Sequence, residues 1–459
     1  MTDLTQATAT ELCDLYQSGA VSPVTVAEAV LARIQRVNPV INAFCFTDPG
    51  ITLKQAQASE QRWRQGRQLS AMDGVPVAIK DSILTQGWPT LHGSRTVDPD
   101  RPWTEDSPVS ARLREAGAVF VGKTTTTEFG WGDNRVTRSD LHGVTRNPWN
   151  PDYTTGGSSG GSASAVAAGL VPLAIGSDMG GSICIPSSFC GVLGLKPNAG
   201  RVPRYPSDAI NIVTLGPMAR TADDLMLAMN IITQPDVREW SSLPVENYSV
   251  DPDFSMRNLK VAYCQTVGTE SVDPDILATV DKLAHWMTAQ GAKVELVKFD
   301  NNALEIFQNI HTPETLQKWL DIPVDRQHLT GRDFQRVSVL SHKKFDLYEW
   351  SVHRKHLIVN MQKFMQCYDI ILSPATVITA DKILVDNMLP AGNDFVMSPF
   401  SRLYCMTQQP SISVPVGLTN QSIPAAVQIG GAVRGDAKIL QVARAIEQQF
   451  PMPACPVIL

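Results

Sequence analysis

Thr155 to Pro197 reads TGGSSGGSASAVAAGLVPLAIGSDMGGSICIPSSFCGVLGLKP. Two Gly-Ser clusters, Gly156-Gly157-Ser158-Ser159-Gly160-Gly161-Ser162 and Gly180-Gly181-Ser182, flank an apolar run. From Ala163 to Ile175 that run carries no charge. It predicts a buried helix ending near Gly169, then a short strand through Val171 to Ile175. Serines at turns on both sides of a buried element meet in space. Glycines around them let backbone donors approach a ligand, because no Cβ intervenes.

Helix and strand signals alternate on both sides of this stretch. Thr10 to Gln17 reads as an amphipathic helix closed by Gly19. Ser22-Pro23 caps a second helix, whose apolar positions run from Val26 to Val37 and which is expected to end before Pro39. A third, polar helix covers about Thr52 to Gln65. Val75 to Ile79 is an apolar strand ending at Lys80-Asp81, and Ala118 to Val121 is another. Further on, Leu259 to Tyr263, Asp273 to Gln290 and Lys293 to Val297 have βαβ spacing. Tyr368 to Leu372 and Ser411 to Pro415 add strands, and Ile439 to Phe450 closes the chain as a helix. The alternation predicts α/β layers around a sheet.

Composition narrows the class. The chain has 459 residues, 43% hydrophobic and 18% charged, with a net charge of −6. Those values suit a compact fold and give no sign of a nucleic-acid or anionic-membrane partner. Eight scattered cysteines without a CxxC pair read as cytosolic thiols. The start, MTDLTQATATELCDLY, lacks the basic and apolar regions of a secretory signal, and no apolar run reaches membrane-spanning length. No HExxH or clustered Cys/His set suggests a metal, and nothing suggests a cofactor.

Gly117-Ala-Val-Phe-Val-Gly122-Lys123-Thr124 satisfies the pattern GxxxxGK[ST]. A phosphate loop needs its strand before the first glycine and a helix after the lysine. Here the strand falls between the glycines, so the reading is a strand followed by a turn.

A serine hydroxyl becomes a useful nucleophile only when a base takes its proton. None of the eight histidines stands in a motif beside these serines, and no Gly-x-Ser-x-Gly elbow is centred on either candidate. Lysine is the other available base. Lys80 follows a buried strand, and burial favours the uncharged amine. Gly180-Gly181-Ser182 offers consecutive backbone N–H groups to a developing oxyanion. The plainer reading is a strand-end lysine paired with Asp81 and two Gly-Ser turns.

Several segments together resemble the amidase signature hydrolases. They are Gly74 to Asp81, Gly122-Lys-Thr124 with Glu128-Phe129, Arg146 to Pro151, Gly156 to Ser162, and Gly176 to Ile183 running on to Gly194-Leu-Lys-Pro197. The strong match covers residues 70–230. A weaker one covers the N-terminal helices and Pro410 to Phe450, including Pro424 to Gln428. The resemblance implies an α/β fold with a single large mixed β-sheet sandwiched between helices. It implies one amidase domain over 1–459, a signature core at 70–230 and a variable, substrate-shaping region at 236–365.

It also implies a Ser–Ser–Lys triad. Ser182 would be the nucleophile, Ser158 the bridging serine after a cis peptide from Gly157, and Lys80 the terminal base. The oxyanion would meet N–H groups of Met179, Gly180, Gly181 and Ser182. Gly157, Ser159 and Asp178 would support the site, and Phe129 and Trp131 would line the acyl pocket. Two positions depart from the family's pattern. Cys184 stands where an arginine, a natural partner for Asp178, usually follows Gly-Gly-Ser-Ile. Cys405 and Gln408 stand where Asn and Gly are common.

The activity this implies is hydrolysis of a small-molecule carboxylic amide by a cytoplasmic enzyme without cofactor, with a homodimer left open. The alternatives are the glutaminase component of a tRNA-dependent amidotransferase, and a non-catalytic binding protein of the same fold.

Overall fold

A computed structural model describes residues 3–267, 271–298, 302–383 and 397–456. Parts of the 236–365 region therefore lie outside the described residues. Eleven strands form one sheet. Their order is Phe44–Thr47, Val119–Thr124, Pro76–Lys80, Leu173–Asp178, Thr214–Ala219, Leu193–Lys196, Ser411–Leu418, Pro424–Gly431, Ile370–Pro374, Lys260–Tyr263 and Lys293–Leu296. Pro76–Lys80 pairs in parallel with both neighbours, whereas Thr214–Ala219 and the Ser411–Leu418 hairpin are antiparallel. The sheet is mixed, and helices cover it. The 260–296 unit is a parallel βαβ, as its spacing predicts.

Apolar side chains of the central strands bury on both faces, as near-continuous hydrophobic runs require. Val77, Ile79, Leu173 and Ile175 join one core cluster with the Ala222–Ile232 and Asp436–Gln449 helices. Ala78 and Ala174 join another, with the 23–41 helix and Ala163 to Ala168. That second cluster surrounds the quoted stretch, whose helix runs Gly160–Ala167 and whose strand runs Leu173–Asp178.

Two local expectations are corrected. The second helix runs Pro23–Ile41 and passes through Pro39. Val37 and Ile41 are both buried in the core, and that burial outweighs the hydrogen bond Pro39 cannot make. Asn42, left-handed at φ 50°, ends the helix instead. The Gly122-Lys-Thr124 segment is strand rather than turn. Lys123 is fully buried, and its ammonium donates to Ile83 O at 2.5 Å, Thr90 Oγ1 at 2.8 Å and Thr85 Oγ1 at 3.2 Å. Burial pushes its pKa down to about 8. A side chain so engaged inside the fold cannot serve a phosphate.

The first glycine cluster packs rather than binds. A Cβ on Gly161 would lie 2.5 Å from Thr125 N and 2.7 Å from Ala43 O, both backbone atoms that cannot yield. Gly156 would meet Ile185 at 2.8 Å. These contacts let the Gly160–Ala167 helix start against the end of the Val119–Thr124 strand. Gly161→Ala is expected to destabilise the fold by about 2 kcal/mol or more, as overpacking does. Urea denaturation would show it as a lower midpoint.

Candidate active site

Lys80 ends the Pro76–Lys80 strand, fully buried. Its Nζ lies 2.7 Å from Ser158 Oγ, 2.8 Å from Ser159 Oγ and 3.0 Å from Ser177 Oγ. Ser158 follows the cis Gly157–Ser158 peptide, just before the Gly160–Ala167 helix. Ser177 is on the adjacent Leu173–Asp178 strand. Three hydroxyls thus surround one amine that, among the described residues, has no carboxylate within hydrogen-bonding distance.

Proton accounting constrains these bonds. Ser159 Oγ donates to Ser177 O at 3.1 Å, so it must accept from Lys80. An uncharged amine has two N–H groups and one lone pair. With Ser159 accepting, one of Ser158 and Ser177 accepts the second N–H and the other can donate to the lone pair. Burial pushes the Lys80 pKa down to about 7, with Asp178 opposing and Lys318 adding to the fall. A free amine in water titrates near 10.4. A large share of Lys80 is therefore uncharged, and able to take a proton, at neutral pH.

Ser182 is nearly buried and lines a cavity of about 220 Å³. Among the described residues its Oγ has no hydrogen-bond partner, and its carbonyl accepts from Ser159 N at 3.1 Å, tying the two Gly-Ser clusters together. The hydrogen bonds run from Lys80 to Ser158 and stop there; none joins Ser158 to Ser182. Catalytic hydrogen bonds are often long before substrate binds and tighten in the complex.

Asp178 organises the nucleophile turn. Its carboxylate accepts from Gly181 N at 2.6 Å and Ile183 N at 2.7 Å, with Cys184 N at 3.4 Å. Gly181, at φ 116°, gives the turn a conformation that side chains rarely adopt. This corrects the oxyanion set, because the Gly181 N–H is already taken. Met179, Gly180 and Ser182 line the cavity, and their N–H groups have no acceptor among the described residues.

The two departures from the family pattern meet at this carboxylate. Cys405 donates its thiol to Asp178 Oδ1 at 3.5 Å. At position 184 the Cys184 Sγ lies 3.3 Å from Gln428 Nε2, whose two hydrogens are shared among Cys184, Ser401 and Ser411. Burial pushes the Cys184 thiol up to about 12, which keeps it protonated and inert. Backbone N–H groups and one thiol replace the arginine.

Of the expected pocket residues, Trp131 lines the cavity and Phe129 does not. Phe129 stacks on His92 at 5.7 Å and packs against Phe334 at 4.9 Å between ring centres, in an apolar cluster that Trp131 also joins. Its left-handed backbone, at φ 51°, is not visible in the sequence. Sequence reasoning missed Ser177, although it sits inside the quoted Gly-Ser-Asp segment. It also missed Phe307, His311 and Arg402, which no motif marks.

One group of potential metal donors exists among the described residues. Donor atoms of Cys45, Asp81 and His142 lie within 4.8 Å of one another. The Asp81 carboxylate already accepts from Leu91 N and Gly93 N, so the group is a hydrogen-bonded corner behind Lys80.

Comparison with known proteins shows the family. The family model described as Amidase matches residues 25–440, and the chain belongs to that family. It is 31% identical over 478 aligned positions to a glutamyl-tRNA(Gln) amidotransferase subunit of Neisseria meningitidis, covering 97% of this chain and 98% of the relative. It is 41% identical over 280 residues to the protein of that name in Chloroflexus aurantiacus. There the match spans 60% of this chain and only 57% of the relative's length. A solved bacterial aryl acylamidase of the amidase signature family superposes with a TM-score of 0.86. It is 26% identical, over 97% of this chain and 96% of that one.

Proposed function

We propose that the protein hydrolyses a small carboxylic amide to acid and amine or ammonia through an acyl-enzyme on Ser182. The observation that carries this reading is a fully buried Lys80 amine, its pKa pushed down by burial, 2.7 Å from Ser158 Oγ and beside a cavity lined by a serine whose hydroxyl has no partner among the described residues. Ser182 Oγ attacks the carbonyl carbon. Its proton passes to Ser158, whose own proton passes to Lys80. N–H groups of Met179, Gly180 and Ser182 receive the oxyanion. As the C–N bond breaks, the proton returns along the same path to the leaving nitrogen. Water then hydrolyses the ester, with Lys80 again taking a proton.

In this reading residues 1–459 act as one amidase unit, with 70–230 as the catalytic core and 236–365 shaping the pocket. The eight cysteines all stand as free thiols, which suits a reducing, cytoplasmic setting. No helix among the described residues is long and apolar enough to cross a membrane.

A fluorophosphonate probe tests whether the serine is activated. It is expected to label Ser182, found by peptide mass mapping, and a panel of small amides is expected to release amine. No label on Ser182 would defeat the proposal.

The names of the relatives favour a second reading, the ammonia-releasing component of an amidotransferase. Turnover of glutamine in preference to other amides, together with co-purifying partner proteins, would select it.

A further inference from the structure

One wall of the Ser182 cavity comes from the Ala303–Leu320 helix, in a stretch that no signature motif marks. Phe307 and His311 stand one turn apart there. Their rings stack at 4.8 Å and 14°, and Trp131 stacks on His311 at 5.2 Å and 10°. The Arg402 guanidinium lies over Phe307 at 5.0 Å. All four side chains line the cavity. With Trp131 and Phe307 against its two faces, His311 presents the cavity with its edge.

The state of that edge follows from its neighbours. Burial, with the charges of Lys318 and Arg402, pushes the His311 pKa down to about 3, so the imidazole is neutral at any working pH. The Thr315 hydroxyl donates to His311 O at 3.1 Å and lies 3.5 Å from His311 Nε2. With the hydroxyl hydrogen on the carbonyl, the tautomer protonated at Nε2 satisfies both contacts. Nδ1 then keeps its lone pair. Among the described residues Nδ1 has no hydrogen-bond partner, and His311 lines the cavity.

Cavity size bounds what meets it. An apolar cavity of about 150 Å³ takes a benzene molecule. The space here, about 220 Å³, suits one ring or its equivalent beside the scissile amide. Arg135, the other arginine lining the cavity, is paired with Asp133 at 3.2 Å.

We infer that His311 is a specificity-determining residue, whose Nδ1 accepts a hydrogen bond from an uncharged N–H or O–H donor on a small, flat amide substrate. The inference rests on the amidase reading and deepens it by naming the substrate class. A matched pair of probes tests it: 4-hydroxybenzamide carries the donor, and 4-methylbenzamide has nearly the same shape without it.

The wild-type protein is expected to prefer the hydroxy amide in kcat/KM by about tenfold or more, the usual scale for one buried hydrogen bond. His311→Phe keeps a ring in the stack and removes the acceptor. It should bring the ratio close to one. His311→Asn places an amide oxygen near Nδ1 and should restore part of the preference. A preference that survives His311→Phe overturns the inference, as does equal use of both amides by the wild type. Failure to turn over either amide while Ser182 is still labelled by a fluorophosphonate also overturns it, and leaves the hydrolase reading intact. Absence of labelling sinks both.

Discussion

Ser182→Ala is expected to abolish amide hydrolysis, lowering kcat by about 10⁴- to 10⁶-fold, the range seen when a serine nucleophile is removed. What remains would come from the oxyanion donors and binding alone. The loss should not come from unfolding. Ser182 Oγ bonds to nothing among the described residues, and the loop is held by its carbonyl and by Asp178, which the substitution leaves untouched. Removing an unpartnered hydroxyl orphans no buried group, so stability should change by less than about 1 kcal/mol. Steady-state kinetics and a urea melt on the same sample separate the two effects. Wild-type-like turnover by Ser182→Ala would show that another nucleophile carries the reaction.

Lys80→Met should cost about 10²- to 10⁴-fold in kcat/KM, the usual contribution of a positioned base. Its effect on stability has a sign that depends on pH. In the fold burial holds the amine at about 7; in the unfolded chain it returns to 10.5. Between those values the unfolded chain binds more protons at this site, so the wild type gains stability as pH rises. At pH 7 the buried amine costs on the order of 4 kcal/mol relative to pH above 10.5. Methionine removes that cost and leaves three hydroxyls without the amine, at about 1 kcal/mol each. The variant should therefore match or exceed wild-type stability at pH 7 and fall below it by pH 10. Urea melts at the two pH values read this directly. A difference between the two proteins that does not vary with pH would mean that Lys80 is not held uncharged by its surroundings.

The site was legible in the sequence as far as it is built from local segments. Lys80 closes an apolar strand, Ser158 and Ser182 sit in Gly-rich turns, and burial of the run between them could be read from its lack of charge. The structure brings Lys80 and Ser158 together beside the Leu173–Asp178 strand, which carries the Ser177 that sequence reading passed over. What could not be read are contacts between distant segments. Asp178 and Cys405 meet although they are 227 positions apart, so the substitute for the missing arginine could not be foreseen. The glycines before Ser162 looked like space for a ligand, but Thr125 and Ala43 fill it. Phe129 follows a motif and does not line the cavity, whereas His311 follows none and lines it. Motif position records what the backbone must do; which side chain reaches the cavity depends on how the Ala303–Leu320 helix packs.

The central claim, an uncharged lysine that activates Ser182 through Ser158, is tested most directly by the pH dependence of fluorophosphonate labelling at Ser182. The measurement requires no knowledge of the natural substrate. The wild-type rate should rise with pH along a single limb whose midpoint lies near 7, and Lys80→Met should be slow at every pH with that limb gone. A wild-type rate that is flat from pH 5 to 9, or a limb that persists in Lys80→Met, would contradict it.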